Sequence, residues 1–143
     1  QISGGALSAP LTLIGTANAD ALSGSAYDDV LTGGAGNDTL NTGEGNDIVS
    51  GGDGNDSITV YDDGVDSLDG GAGNDTFRIM TGYGGVVTVE GGIGTDTLTQ
   101  VYDLGNASFT GVEVLDTTSV TATTAQLSSF TSLIDSTAKT TQF

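Results

Sequence analysis

A nine-residue period runs through most of this chain and constrains its fold more than any other feature. From Gly15 to Thr99, most successive units share a glycine-containing first half, an aspartate at the sixth position and an apolar residue at the eighth. The units read GTANADALS, GSAYDDVLT, GGAGNDTLN, TGEGNDIVS, GGDGNDSIT, VYDDGVDSLD, GGAGNDTFR, IMTGYGGVVTVE and GGIGTDTLT. Since one apolar side chain per unit cannot form a core alone, the units must stack on one another.

Glycine and aspartate positions define the consensus Gly-Gly-x-Gly-x-Asp-x-U-x, in which U is apolar. Glycine permits positive φ and close approach of neighbouring backbones. The first six residues of each unit are therefore predicted to form a turn, and the last three a short strand. The U side chains are predicted to form the inner stripe of the solenoid: Leu22, Leu31, Leu40, Val49, Ile58, Leu68, Phe77 and Leu98.

This consensus resembles the repeats-in-toxin (RTX) nonapeptide of secreted bacterial proteins. GGAGND occurs twice, beside TGEGND and GGDGND, and such a set is far more specific than a single glycine-rich loop. The resemblance implies an all-β fold, a right-handed parallel β-roll or β-helix solenoid, in which two units form one coil of about eighteen residues. It also implies calcium ions in the turns, between units n and n+2.

Alternate units that share an edge of such a roll bring their aspartates into two stacks. The first edge would carry Asp20, Asp38, Asp56, Asp75 and Asp96, and the second edge Asp29, Asp47 and Asp66. Two stacked carboxylates about 5 Å apart repel by roughly 3 kcal/mol at an effective dielectric near 20. Only a cation between them reverses this cost, and Arg78 and Lys139 are the only basic residues. Calcium, which takes about six to eight oxygen ligands, suits turns that combine carboxylates with backbone carbonyls.

Besides the aspartates, the turn residues are predicted calcium-binding positions: Gly33, Ala35, Gly36, Gly43, Gly45, Gly51, Asp53, Gly54, Gly70, Ala72, Gly73, Gly91 and Gly94. The family pattern allows about six calcium ions, about four on the first edge and about two on the second. The aspartate pairs 38/56 and 56/75 have the most regular turns, followed by 75/96 and 20/38. Unit 60–69 gains a residue and unit 79–90 has no aspartate, so the second edge is expected to stop binding calcium near Asp66. Positions that involve Asp20, Asp29 or Asp66 fit the pattern least.

Composition excludes several classes of function. The net charge of −17 excludes nucleic acid as a natural partner and disfavours adsorption to anionic membranes. There is no cysteine, so calcium rather than disulfides must hold the fold in an oxidising exterior. No apolar run is long enough to span a bilayer. The length of 143 residues suits one domain, and we expect the chain to be a piece of a longer protein.

Three regions are predicted along the chain: a leading strand or N-terminal cap (1–14), the calcium-binding repeats (15–99) and a C-terminal β-helix-like capping segment (100–143). β character is predicted in 86–90, within the last irregular unit, and persists beyond Thr99 in 107–110 and 112–116. A short helical turn is predicted at 124–130. The hydrophobes expected to close the end of the roll, or alternatively to dock a neighbouring domain, are Leu115, Leu127, Phe130, Leu133 and Ile134.

Catalysis within this chain is not expected. There is no histidine and no cysteine, which removes imidazole and thiol chemistry. Glu44, Glu90 and Glu113, together with the aspartates, could supply a carboxylate pair for glycan chemistry, and β-helices also support polysaccharide-modifying enzymes. No cluster of aromatic, acidic and basic residues accompanies them, so the chain is predicted not to be an enzyme.

Three functional interpretations remain open. The first is a module that folds on binding extracellular calcium, in a protein exported by the type I secretion that the resemblance implies. The second is a calcium-rigidified structural or adhesive segment at a cell surface, with neighbouring domains and a glycan or surface partner. The third is a non-catalytic module of a polysaccharide-modifying enzyme.

Ice-binding relatives of this family carry threonine at the third turn position, where this chain has Ala35, Glu44, Asp53 and Ala72. This difference argues against an ice-binding function. The fifth-position asparagines, interpreted as turn formers rather than an outward ladder for a ligand, are Asn37, Asn46, Asn55 and Asn74.

Overall fold

A computed structural model describes residues 2–3, 9–80, 85–99, 106–116 and 130–134 of the chain. These residues form strands and turns, with no helix among them. The strands are β1 (Ile2–Ser3), β2 (Thr12–Ile14), β3 (Ala21–Ser23), β4 (Val30–Ala35), β5 (Thr39–Asn41), β6 (Ile48–Asp53), β7 (Ser57–Val60), β8 (Val65–Ala72), β9 (Thr76–Ile79), β10 (Val86–Ile93), β11 (Thr97–Thr99), β12 (Ser108–Thr110), β13 (Val114–Asp116) and β14 (Ser132–Ile134).

Of the described strands, β1 to β13 alternate between two parallel sheets, and β14 adds to the first of them. The first sheet has eight strands in the order β1-β3-β5-β7-β9-β11-β13-β14, and the second has six in the order β12-β10-β8-β6-β4-β2. Every strand pair in the two sheets is parallel. The chain therefore winds as a parallel β-solenoid of about five turns, as the repeat predicts.

The period of the sequence sets the register between coils. Leu22 pairs with Leu40 and Leu40 with Ile58 in the first sheet, so each U position lies directly under the previous one. In the second sheet Leu31 pairs with Val49 in the same way. Because side chains alternate between the two faces of a strand, this register directs all U side chains inward.

The core is a stripe between the two sheets. All eight predicted U side chains are buried, none more than 1% exposed: Leu22, Leu31, Leu40, Val49, Ile58, Leu68, Phe77 and Leu98. Val60, Ile79 and Val87, which the nine-residue pattern does not mark, join the same cluster. They lie in the two irregular units, 60–69 and 79–90, and fill the interior there although they do not follow the nine-residue spacing.

Near the far end of the roll, two of the hydrophobes expected to close it are buried. Leu115 and Phe130 are buried with Phe109 and Val112, and the rings of Phe109 and Phe130 lie 5.7 Å apart. Strand β14 extends the first sheet beyond β13. Leu127, the helical turn predicted at 124–130 (apart from Phe130) and the side chains of Leu133 and Ile134 lie outside the described residues.

The boundary between strand and turn differs from the prediction. Strands β4, β6, β8 and β10 continue through the first three residues of the next unit, because Gly34 pairs with Gly52 and Gly52 with Gly71. Gly34 and Gly52 both have positive φ, so the backbone bends while the ladder of hydrogen bonds continues. On the first edge the turn therefore shrinks to the fourth to sixth positions of the unit, and the aspartate is its last residue.

Candidate calcium sites

Aspartates of successive coils are joined by a repeated hydrogen bond on the first edge. The backbone N–H of Asp38 donates to Oδ1 of Asp56 at 2.7 Å, and that of Asp56 donates to Oδ1 of Asp75 at 2.8 Å. The same bond joins Asp20 to Asp38 at 2.7 Å and Asp75 to Asp96 at 2.8 Å. These aspartates therefore form one continuous stack, as the spacing predicts.

A second stack runs along the opposite edge. The N–H of Asp29 donates to Oδ1 of Asp47 at 2.7 Å, and that of Asp47 donates to Oδ1 of Asp66 at 2.9 Å. Above them, the N–H of Leu11 donates to Oδ1 of Asp29 at 2.7 Å. The stack thus begins at a backbone donor in the leading segment, which the sequence pattern did not indicate.

The second carboxylate oxygen of most stacked aspartates has no hydrogen-bond partner. Each of these side chains is at most 2% exposed, and its Oδ2 is fully enclosed: Asp38, Asp47, Asp56, Asp66, Asp75 and Asp96. A buried oxygen without a donor or a cation costs several kcal/mol, roughly 2–7 for a polar group and more for a charge. Enclosed carboxylate oxygens that lack a partner fit a cation bound between the coils.

The first glycine of each regular unit leaves the space that such a cation needs. A Cβ on Gly51 would meet Oδ2 of Asp56 and, at 2.5 Å, the carbonyl oxygen of Gly70 in the next coil. A Cβ on Gly33 would meet Oδ2 of Asp38 and, at 2.6 Å, the carbonyl oxygen of Gly51. The missing side chain therefore opens a cradle between a carboxylate oxygen and a carbonyl oxygen of adjacent coils. Gly70 and Gly91 occupy equivalent positions beside Asp75 and Asp96.

Carboxylates alone would not complete a coordination shell. No group of three or more Asp, Glu, His or Cys side chains converges among the described residues. Calcium requires about six to eight oxygens, so backbone carbonyls and water would have to supply most of them. The cradle at each first glycine contributes one such carbonyl, which makes the donor set hard, oxygen-only and suited to calcium.

Burial raises the pKa of several stacked aspartates. The pKa of Asp47 is raised to about 7, because desolvation outweighs the hydrogen bond from Asp29 and nearby carboxylates add to the rise. Desolvation also raises the pKa of Asp66 to about 6 and that of Asp75 to about 6. The pKa values of Asp56 and Asp96 are raised for the same reason. A bound cation would act in the opposite direction, because an opposite charge favours the ionised form.

In the first unit of each edge, the Oδ2 atom of the aspartate does have hydrogen-bond partners, and they belong to the same unit. Oδ2 of Asp20 accepts hydrogen bonds from the N–H of Thr16 at 2.6 Å and from its hydroxyl at 2.7 Å. The hydrogen bonds from Thr16 hold the pKa of Asp20 below its usual value. Oδ2 of Asp29 likewise accepts from the N–H and hydroxyl of Ser25. Because these two units carry Thr or Ser at the second position instead of Gly, their carboxylates are already paired.

The other predicted turn residues shape the backbone of the edges. Positive φ occurs at Gly36, Gly43, Gly45, Gly54, Gly73 and Gly94. The carbonyl oxygens of Asp53 and Ala72 accept hydrogen bonds at 2.7 Å from the N–H groups of Gly36 and Gly54 in the preceding coil. Ala35, at the same third position, donates its N–H to the carbonyl of Thr16. The third positions therefore join coils, and each carbonyl keeps one lone pair for a further contact.

The inserted residue in unit 60–69 is accommodated by a carboxylate. On the first edge the N–H of a fourth-position glycine donates to a backbone carbonyl, as Gly54 does to Ala72. On the second edge the N–H of Gly45 instead donates to Oδ2 of Asp62 at 2.8 Å. The side chain of Asp62 thus replaces the carbonyl that the insertion displaces, and burial raises the pKa of Asp62.

Fifth-position asparagines form a ladder of their own. Oδ1 of Asn37 accepts from the N–H of Asn55 at 2.9 Å, and Oδ1 of Asn55 accepts from the N–H of Asn74 at 2.8 Å. Asn74 repeats this bond with Thr95, and Asn46 with Val65. These side chains cap backbone donors of the next coil, which local turn preference alone did not predict.

Comparison with known proteins agrees with this geometry. The family described as RTX calcium-binding nonapeptide repeat (4 copies) matches residues 14–49, 23–58 and 41–77. The matched residues carry RTX repeats. No curated protein and no solved structure matches it.

The RTX family is a structural calcium-binding repeat, and the matched region of this chain spans 14–77. Both aspartate stacks pass through that region, and the first-edge stack continues beyond it to Asp96. A helix able to cross a bilayer is not found in the part of the chain that the structure describes.

Proposed function

We propose that this chain is a calcium-binding RTX module that folds when it binds extracellular calcium, as part of a larger secreted bacterial protein. The observation that carries this proposal is the set of enclosed Oδ2 atoms without partners on both edges. Each of these atoms lies in a stack of carboxylates in which the next member belongs to the adjacent coil. A divalent cation between coils would satisfy the oxygens and join the coils at the same time.

Charge makes calcium necessary for the fold rather than merely compatible with it. The chain has a net charge of −17 and only two basic residues to offset the acidic ones. Stacked carboxylates near 5 Å apart repel by roughly 3 kcal/mol at an effective dielectric near 20. The twenty-four glycines add to the backbone entropy that folding must overcome. Without calcium, the repeats are therefore expected to be disordered.

Mass action makes the module a steep switch. Extracellular calcium modules have dissociation constants of about 10⁻⁴ to 10⁻³ M. Free calcium at ten times the dissociation constant stabilises the folded state by roughly 1.4 kcal/mol per site. About six sites, about four on the first edge and about two on the second, would act together because neighbouring sites share aspartates. The gaps 38/56, 56/75, 75/96 and 47/66 combine two stacked aspartates whose enclosed Oδ2 atoms have no partner.

The switch suits export. A chain that stays unfolded at low cytosolic calcium can pass through a type I secretion channel and fold outside the cell. In this role the repeats act as a non-catalytic module that is joined to other domains of a longer protein, and their ligand is calcium. Secretion or display at the cell surface is therefore the proposed location.

Calcium titration tests the proposal directly. Chain freed of divalent ions is titrated with calcium while far-UV circular dichroism follows the β signal, and magnesium at the same ionic strength serves as the control. We expect a random-coil spectrum before calcium and a cooperative gain of β structure with calcium but not with magnesium. A chain that is fully β-structured without calcium, and does not change on its addition, would refute calcium-dependent folding.

A further inference from the structure

The turn before β13 is shorter than the regular turns of the first edge and carries a glutamate in place of an aspartate. Strand register pairs Thr110 with Glu90 and Val114 with Thr97, so residues 111–113 stand where the preceding coil has the full Gly-Gly-x-Gly-x-Asp stretch, residues 91–96. Strand register pairs Thr97 with Val114, so Glu113 lies in the coil below Asp96, directly in line with it. This turn lies outside the residues that match the RTX family.

Glu113 makes the bond that a stacked aspartate makes in every coil above it. The N–H of Asp96 donates to Oε2 of Glu113 at 2.9 Å, as the N–H of Asp75 donates to Oδ1 of Asp96 at 2.8 Å. The N–H of Glu113 also donates to the carbonyl of Asp96 at 3.0 Å. The glutamate side chain has one more methylene than aspartate, and this extra length lets it reach the donor from a turn that has lost residues.

The gap between Asp96 and Glu113 has the same oxygen arrangement as the regular gaps. Asp96 is 0% exposed, and its Oδ2 has no hydrogen-bond partner. A Cβ on Gly91 would meet this Oδ2 at 2.7 Å and would also meet the carbonyl oxygen of Gly111 in the next coil. Gly111 therefore supplies the carbonyl that Gly70 supplies to the cradle at Gly51.

We propose that Glu113 is a calcium ligand and that, with Asp96 and the carbonyl of Gly111, it forms a fifth cation position on the first edge. This inference rests on the proposed calcium function and adds to it a site that the nonapeptide pattern does not encode. Glu113 is only half-buried, so water completes the coordination on its outer side. The calcium-binding edge thus ends at a glutamate rather than at the last repeat.

The competing explanation is that Glu113 only caps the N–H of Asp96. Replacing Glu113 with glutamine separates the two roles, because the amide oxygen still accepts the hydrogen bond while the charge is lost. Glu90→Gln is the matched control, because Glu90 is exposed on β10 and this substitution removes the same charge from a side chain that makes no hydrogen bond to the aspartate stack.

Calcium bound per chain is measured by equilibrium dialysis for the wild-type chain, Glu113→Gln and Glu90→Gln. Circular dichroism at saturating calcium establishes that each variant is folded. We expect Glu113→Gln to lose about one ion, or to bind its last ion at least about tenfold more weakly, with Glu90→Gln unchanged. An unchanged ion count and affinity in folded Glu113→Gln would overturn the site and leave Glu113 as a cap. A wild-type chain that binds no calcium would instead refute the proposed function itself.

Glu113→Asp provides a second measurement. The shorter side chain cannot span the same distance to the N–H of Asp96, so the last ion should bind more weakly although the charge is kept. An affinity equal to that of the wild type would contradict the geometric requirement for glutamate.

Discussion

Asp38 and Asp56 lie in adjacent coils, and the backbone N–H of Asp38 donates a 2.7 Å hydrogen bond to Oδ1 of Asp56. This bond uses one carboxylate oxygen of Asp56 and leaves its Oδ2 enclosed and without a partner. Each stacked aspartate thus faces the coil above through one oxygen and the cradle of its own turn through the other. An interior member of the stack therefore belongs to two consecutive gaps.

The number of gaps that an aspartate borders should determine how many ions its loss affects. Asp56 borders the gaps toward Asp38 and Asp75, whereas Asp66 is the last aspartate of the second edge. We expect Asp56→Ala to weaken about two calcium ions and Asp66→Ala at most about one. Isothermal titration calorimetry gives the ion count for both variants. Equal losses, or a larger loss for Asp66→Ala, would show that the sharing of aspartates between gaps is wrong.

The absence of a side chain at the first glycine of a unit should be as important for calcium binding as the carboxylate of the aspartate in that unit. A Cβ in Gly51→Ala would meet Oδ2 of Asp56 and the backbone carbonyl of Gly70, neither of which can move freely in the stack. We expect the loss of the 56/75 site and a decrease of about 1–3 kcal/mol in the stability of the calcium-bound form. Calcium counting and thermal unfolding in saturating calcium measure the two effects.

Gly85→Ala is the control for this experiment. Its Cβ would lie 3.2 Å from Cα of Asp63, a tight contact that is away from any carboxylate oxygen of the stacks. We expect the same ion count as in the wild-type chain. A loss of calcium in Gly85→Ala comparable to that in Gly51→Ala would mean that any added methyl group weakens binding, and that the cradle has no special role.

The raised pKa values predict how acid affects the calcium-free chain. The pKa of Asp47 rises from 3.8 to about 7 on folding because burial disfavours its charge, so the folded state binds the proton more tightly than the unfolded state. The stabilisation from protonated Asp47 is therefore complete below about pH 4 and is lost as the pH rises through about 7. Asp66 and Asp75, with pKa values raised to about 6, lose theirs at slightly lower pH.

In buffer freed of divalent ions, we therefore expect more β structure near pH 4.5 than near pH 7.5. These two pH values, about 4.5 and about 7.5, cover most of the interval between the unfolded and folded pKa values of Asp47, which are 3.8 and about 7. Asp47→Asn imitates the protonated side chain, so its calcium-free form should depend less on pH over this range. Circular dichroism during a pH titration follows both proteins. A calcium-free wild-type chain that gains structure on alkalinisation would contradict the direction of these pKa shifts.

Much of this architecture could be predicted from the sequence because the pattern and the structure share one period. Each U residue pairs with the U residue of the next coil, so the stripe and both stacks follow from spacing alone. The nine-residue spacing does not predict which residues join the stacks where the coils change length. The sequence indicates Glu113 only as a possible catalytic carboxylate, since no repeat surrounds it, and it does not single out Asp62. Both residues compensate for a change in turn length, which becomes visible only when the coils are in register.

Strand length is the other feature that the nine-residue spacing does not predict. The sequence places the glycine pairs in the turn, because glycine permits positive φ and close approach of neighbouring backbones. In the solenoid the pair Gly34 and Gly52 continues the ladder, since identical backbone bends in adjacent coils keep their hydrogen bonds aligned. The bend therefore depends on stacking between coils, which no single unit specifies.

The asparagine ladder should contribute stability without binding calcium. Oδ1 of Asn55 accepts from the N–H of Asn74 at 2.8 Å, so Asn55→Ala removes the acceptor of an exposed backbone donor. A loss of about 0.5–1.5 kcal/mol is expected, the usual net value of one hydrogen bond, with an unchanged calcium count. Asn55→Asp is the matched variant, because a carboxylate at this position can accept the same bond, as Asp28 does from the N–H of Asn46 at 2.8 Å. Thermal unfolding in saturating calcium should therefore place Asn55→Asp closer to the wild type than Asn55→Ala. If Asn55→Ala instead lost a calcium ion while remaining folded, the asparagine ladder would be part of the binding edge and not only a set of caps between coils.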